Sequence, residues 1–210
     1  RRVLFRSATF MRMKEDAMKN GQLKPAYNVQ HGVDSEYIVW LTVGAQPADT
    51  TTLIPFLKSM EDFLYFRYLK ITTDSGYESE ENYCYIKENG QLSYIKPANY
   101  EIAKTRKYKN DISRIENMDY DELGDYYICK NNKKLTVNKI VKRKSKTGYI
   151  NERTIYTSED CSNCVYKSKC IKGHNCKTPL EERTKNLETS KLFNMLRKEN
   201  LERIVSEEGC

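Results

Sequence analysis

Long apolar runs are missing from this 210-residue sequence. No stretch approaches the roughly 18 apolar residues that read as a membrane span, so no membrane partner is expected. Arg1 to Lys14 contain neither an apolar signal core nor a small-residue cleavage site. Seven cysteines are too sparse for a small disulfide-stapled scaffold. Two histidines, His31 and His174, cannot make a dense histidine site. The expected compartment is therefore cytoplasmic and reducing. Wholesale disorder is excluded from the other side, because 16 Tyr, 6 Phe and 1 Trp are too many aromatics for it. Length allows one to two domains at ~150 residues each. The net charge of +7 leaves an acidic partner open. The chain opens on Arg1 and stops at Cys210 straight after a helix-like end, which reads as a piece of a longer protein.

Four regions follow from pattern. Residues 1–25 are basic and poorly periodic, an irregular lead-in with a short helix over Phe10–Asn20. Residues 26–97 have a β-β-α-β-α-β rhythm. Ala26–Val33 and Glu36–Val43 alternate as a hairpin around Asp34-Ser35, the second strand apolar enough to be central. Leu53, Phe56, Leu57, Met60 and Leu64 form a helical stripe within Thr52–Tyr65, with Asp49 or Thr50 as its cap. Leu69–Thr73 and Leu92–Ile95 are short strands flanking a helix over Glu78–Asn89, an α/β crossover whose strands should be parallel. Added to the hairpin, they predict one mixed sheet. Residues 98–178 are a polar, basic insertion with a cysteine cluster, and Tyr126–Cys129 and Gly148–Tyr156 read as β segments. Residues 179–210 read as charged helix.

Asp74 is the sharpest single residue. It stands at the carboxyl end of an expected parallel strand, where sites of open α/β sheets lie. A carboxylate there can bind a divalent cation; Asp-Ser-Gly is equally an ordinary turn or helix cap. Asp34, between two strands, reads as a turn residue. Glu78, Glu80 and Glu81 suit the start of the next helix.

The combination of Asn20–Gln30 (NGQLKPAYNVQ), Val33–Val39 (VDSEYIV) and Asp74–Tyr83 (DSGYESEENY) resembles bacterial insertion-sequence transposases of the DDE type, nearest the IS1182-like group within the IS4-like set. The likeness runs through nearly the whole chain. It implies an α/β fold with a partial RNase H-like mixed-sheet core and a basic, cysteine-containing insertion. It implies three carboxylates that hold two Mg²⁺ or Mn²⁺ ions, with Asp74 as the second. The first carboxylate belongs to a D-G-T-like motif that residues 1–25 lack, and the third to a helix beyond the matched end. The chain would thus keep one of three and be inactive alone. The partner implied is double-stranded DNA at element ends, and a homodimer is open for the complete protein.

Cys161-x2-Cys164-x5-Cys170-x5-Cys176 follows Cys129 at a β segment. Such thiolates suit Zn²⁺ or an iron–sulfur centre, and free or disulfide-bonded cysteines are the alternatives. The resemblance favours Cys129, Cys161, Cys164 and Cys170 as ligands, with Cys176 as the substitute. Phosphate contact is expected from Lys104, Arg106, Lys107 and Lys109, and from Lys139, Lys142, Arg143, Lys144 and Lys146. Lys130–Ile150 holds no acidic residue at all. Two functions compete: a metal-dependent DNA strand-transfer enzyme, and a non-catalytic nucleic-acid-binding protein with a metal knuckle. The product of a decayed element is a third, blander reading.

Overall fold

The computed structural model describes residues 8–12, 21–173 and 176–206. The chain forms two compact units. One takes the residues up to Pro97 together with those from Asn200 onward, the other Ala98–Glu199.

In the first unit β1 (Thr9–Arg12) pairs antiparallel with β2 (Leu23–Ala26). The expected lead-in helix is therefore wrong at Phe10–Arg12, and its remainder lies outside the described residues. The hairpin is present as β3 (Asn28–Asp34) and β4 (Tyr37–Gly44). Its turn is Ser35-Glu36, one residue later than expected, with Ser35 in the left-handed region at φ 54°. A single 3-10 turn, Asp49–Thr51, leads into α1 (Leu53–Leu64). Leu53, Phe56, Leu57 and Met60 are buried, the stripe the spacing predicts. Each such burial contributes roughly 1.5–3 kcal/mol. Gly32 sits in β3 where this helix presses close, since a Cβ there would lie 3.0 Å from the Phe56 ring.

β5 (Lys70–Thr73) and β6 (Leu92–Ile95) are parallel, joined through a 3-10 turn at Ser75–Tyr77 and α2 (Glu80–Glu88). Ser79 caps α2, its hydroxyl accepting the Asn82 N–H at 3.1 Å. Gly90 ends the helix at φ 71°, where a Cβ would be strained. Among the described strands the single mixed sheet is not formed. The β3–β4 hairpin and the β5–β6 pair are separate two-stranded sheets. No described strand bridges them, so β3 and β5 each have one neighbour among the described strands. For the same reason β4 is not central: Tyr37, Ile38, Leu41 and Val43 are exposed.

The second unit starts with two short helices, α3 (Tyr100–Ala103) and α4 (Arg106–Lys109). An antiparallel sheet of five strands follows, built from β7 (Asp119–Asp121), β8 (Tyr126–Ile128), β9 (Lys134–Lys144), β10 (Ile150–Ser158) and β11 (Asn186–Thr189), in the order β11-β10-β9-β8-β7. α5 (Lys167–Cys170) lies between β10 and β11 in sequence, and α6 (Lys191–Ile204) follows β11. Residues from 179 onward are thus not all helical: Asn186–Thr189 is a strand, held by its ladder with Thr154–Thr157. Tyr127, Leu135, Tyr156 and Leu187 form the core of this unit. The Tyr127 and Tyr156 rings meet edge to face at 5.0 Å. Asp125 accepts hydrogen bonds from Tyr120 Oη and Tyr156 Oη, each at 2.7 Å, and from Lys191 Nζ at 2.5 Å.

Candidate functional site

Asp74 follows the last residue of β5 in an extended conformation. Its Oδ1 accepts the Gly76 N–H at 2.8 Å, so it caps the short 3-10 turn. Gly76 brings a second carboxylate close. A Cβ at this position would lie 2.8 Å from Asp49 Oδ2 and 3.1 Å from Asp74 Oδ1. Asp49 is held by Asn28, whose Nδ2 donates to Oδ1 at 2.6 Å. Burial pushes the Tyr77 hydroxyl up to about 12, with the charges of Asp49 and Asp74 adding to the rise. Two acidic side chains therefore converge on one glycine. Sequence pattern offers Asp49 only as a helix cap; nothing local in the chain signals its approach to a residue 25 positions later.

Asp74 and Tyr77 also line a groove of about 330 Å³. Its other walls are β3 at Gln30–Val33, the buried face of α1, and β5. Strands with one described neighbour each, β3 and β5, thus line the same groove beside the carboxylate. Asp34 ends β3 opposite Tyr37, as a hairpin residue. Glu80 and Glu81 occupy the first turn of α2.

The cysteines come from two segments. Cys129 opens the tight turn between β8 and β9, its N–H donating to the Lys133 carbonyl at 3.0 Å. Cys161 and Cys164 follow β10, and Cys170 ends α5. All four line one cavity of about 20 Å³ together with Lys185. The Lys185 N–H donates to Cys161 Sγ at 3.4 Å, and Lys185 Nζ donates to the carbonyls of Ser113 at 2.7 Å and Cys170 at 3.2 Å. Burial pushes the Cys170 thiol up; Lys185 opposes this, and Cys129, Cys161 and Cys164 add to it. Cys176 is exposed and outside this cavity. The described cysteines form no disulfide. Among the described residues, no group of three or more His, Cys, Asp or Glu is gathered to metal-holding geometry.

The basic stretch is a strand rather than a loop. Within β9, β8 reaches Lys134 and Leu135 alone, and within β10, β11 reaches Thr154–Thr157 alone. Val141–Lys144 and Ile150–Arg153 therefore continue as a two-stranded ribbon with no further neighbour among the described strands. Lys139, Lys142, Lys144 and Lys146 are exposed on or at the end of it. Arg143 is engaged, its Nη2 lying 2.7 Å from Glu188 Oε2. Arg106, Lys107 and Lys109 are exposed on α4. Lys104 is bound to Glu101 at 3.2 Å and lies over the Tyr100 ring.

A family model described as "Transposase DDE domain" matches residues 2–195. The chain belongs to the transposase DDE domain family. No curated protein and no solved structure matches it. Membership makes DNA the substrate class, transposition the process and a divalent cation such as Mg²⁺ the cofactor class. This transposase domain has no helix long and apolar enough to cross a membrane among its described residues. Asp49 and Asp74 are hard oxygen donors, and Mg²⁺ is commonly held by one or two carboxylates alongside water and phosphate. The two side chains fit one such ion in kind.

Proposed function

We propose that this transposase domain carries part of an RNase H-like DNA strand-transfer centre in which Asp74 is a catalytic carboxylate, and that it is of the IS1182-like kind. The observation that carries this reading is the position of Asp74: at the carboxyl end of a parallel strand, beside a groove lined by two under-paired strands. A first core strand bearing another carboxylate, as the resemblance expects, would lie between β3 and β5. It would pair with both and complete the mixed sheet. Asp49 supplies a second acidic group from this chain, held in place by Asn28.

When bound, a divalent cation would polarise the scissile phosphate and activate the attacking hydroxyl. Asp74 and Asp49 would hold it, and the turn at Ser75–Tyr77 fixes the Asp74 carboxylate through the Gly76 N–H. The β9–β10 ribbon and α4 would attract duplex DNA through Lys139, Lys142, Lys144, Lys146, Arg106, Lys107 and Lys109, with Arg143 and Lys104 contributing less because acidic partners occupy them. Lysine-rich contact of this kind favours phosphate attraction over base reading. A carboxylate pair does not hold two cations roughly 4 Å apart against their repulsion. This chain alone is expected to leave plasmid DNA intact in a strand-transfer assay.

Affinity cleavage tests the assignment without requiring turnover. Fe²⁺ with ascorbate and peroxide cuts backbone near a bound divalent site. Cuts near residues 49 and 74, suppressed by excess Mg²⁺ and absent in Asp74→Asn, support the reading. Equal cutting in wild type and variant, or none at these positions, leaves Asp74 as a turn cap and favours a non-catalytic DNA-binding role.

A further inference from the structure

We infer that the second unit carries a groove for a single DNA strand, with Lys130 and Lys169 as its phosphate contacts and Tyr166 as the surface on which a base stacks. The site rests on DNA as the substrate class and not on the role given to Asp74.

Four segments wall the groove: residues 110–112 after α4, Lys130 in the β8–β9 turn, residues 166–173 around α5, and the 3-10 turn Leu180–Glu182 with Arg183. Side chains tie them together. Lys172 Nζ donates to Asp111 Oδ2 at 2.6 Å, which joins the first segment to the third. Lys167 Nζ donates to the Glu181 carbonyl at 2.5 Å, which joins the third to the fourth. The groove so formed measures about 880 Å³. That lies within the roughly 300–1,000 Å³ of small-molecule sites. A nucleotide or two of a single strand can enter it. A duplex, whose major groove alone is about 12 Å wide, can only lie across its mouth.

Charge selects a phosphate backbone. Lys130, Lys169, Lys172 and Arg183 line the groove against one carboxylate, Asp111. Asp111 is already satisfied, since besides Lys172 it accepts from the Ser113 N–H at 3.1 Å and the Ser113 hydroxyl at 2.6 Å. Lys130 and Lys169 are exposed, and neither side chain has an ion pair or hydrogen bond among the described residues. Arg183 donates to three backbone carbonyls, Thr178 at 2.6 Å, Gly173 at 2.8 Å and Cys176 at 3.2 Å. Carbonyls orient a guanidinium without neutralising it, and two of its five N–H groups have no acceptor among the described residues. Glu181 and Glu182 precede Arg183 but do not line the groove. The same walls hold Tyr166, Ile112, Ile171 and Leu180, each half-buried. Cations beside an aromatic ring are what sequence-tolerant strand binding uses, phosphates on the one and bases on the other. A duplex hides its base faces, so the ring is of use to a single strand alone.

The test is anisotropy titration of the full 210-residue chain with a labelled oligothymidylate of about six nucleotides and, separately, with a duplex. Lys130→Gln combined with Lys169→Gln should weaken the single strand roughly tenfold and the duplex less than about twofold, and the single-strand salt slope should fall by up to ~0.7 for each phosphate no longer neutralised. Tyr166→Leu should weaken the single strand about tenfold, and Tyr166→Phe should bind as wild type does. Because Tyr166→Leu could unfold its segment, photocrosslinking of the wild-type chain gives a second reading: 5-iodouracil in the strand should attach to Tyr166. Neither readout involves cleavage or a metal ion, so a failure here is separate from a failure at Asp74. Single-strand affinity that ignores both lysines, an equal loss for duplex and single strand, or competition by a free mononucleotide as strong as by the oligomer would each overturn the groove. A crosslink that maps away from Tyr166 would remove that ring as the stacking surface.

Discussion

Asn200 holds both backbone groups of Ile95. The Ile95 N–H donates to Asn200 Oδ1 at 2.9 Å, and Asn200 Nδ2 donates to the Ile95 carbonyl at 2.8 Å. Both residues are fully buried. A side-chain amide offers the same donor and acceptor as a peptide unit, so Asn200 acts at the end of β6 as one residue of an added strand would. Arg203 continues the cover, with Nε donating to the Ser93 carbonyl at 3.1 Å and Nη2 to Ser93 Oγ at 2.9 Å.

Asn200→Leu should therefore cost about 2–6 kcal/mol, because it orphans two buried polar groups at roughly 1–3 kcal/mol each. Urea unfolding followed by circular dichroism measures it. A loss within about 0.5 kcal/mol, on the order of a neutral surface change, would show that this pairing does not hold the strand.

Gly76→Ala probes the acidic pair. The added methyl must displace Asp49 Oδ2, 2.8 Å away, or Asp74 Oδ1, 3.1 Å away. The glycine's own φ is ordinary, so backbone strain does not enter. Mn²⁺ affinity, read by electron paramagnetic resonance titration, should fall several-fold, and the cost in folding should stay within about 1 kcal/mol. Unaltered Mn²⁺ binding would mean that Asp49 and Asp74 do not share an ion.

Glutamine at Lys139, Lys142, Lys144 and Lys146 together should weaken nonspecific duplex binding. The slope of log affinity against log salt should fall by up to ~0.9 for each phosphate no longer neutralised. Anisotropy titrations at several salt concentrations give the slope. Arg143→Gln should change it less, since Glu188 already occupies that guanidinium. A slope that ignores all four lysines would place the DNA elsewhere.

Asp125 gives the second unit a pH response. Burial raises its pKa, but the hydrogen bonds from Lys191, Tyr156 and Tyr120 outweigh this and hold the carboxyl below its ordinary value of 3.8. A depressed folded pKa contributes stability that is present above 3.8 and fades as pH falls through the folded value. Asp125→Asn keeps a residue that tolerates the left-handed backbone at φ 51° and removes the charge. Its melting temperature should lie below wild type at neutral pH, and the gap should close on acidification below 3.8. A gap constant with pH would exclude the carboxylate charge as the cause.

Elements with a buried face are legible in the sequence. The α1 stripe, the β3–β4 hairpin, the β5–α2–β6 crossover and the place of Asp74 all follow from spacing and turn residues. β9 does not announce itself as a strand: most of its side chains are exposed and many are cationic, so pairing with β10 holds it, not a hydrophobic face. β11 is hidden in the same way, by charge around Leu187. The mixed sheet fails on a different ground. Strand pattern gives the presence of strands but not the neighbour that would link β3 to β5. Asp49 stays silent because its approach to Asp74 runs through Gly76, a tertiary contact. The four cysteines that line one cavity are those the resemblance singles out, and Lys185 beside them is not legible in the sequence.

The two strands that flank the groove have a practical consequence. The open edges of β3 and β5, each with one partner among the described strands, and the outward Tyr37, Ile38, Leu41 and Val43 of β4 make a template that other chains can add to. At high concentration this domain should be prone to aggregate edge to edge, and a short peptide of alternating apolar residues that docks there should raise its solubility.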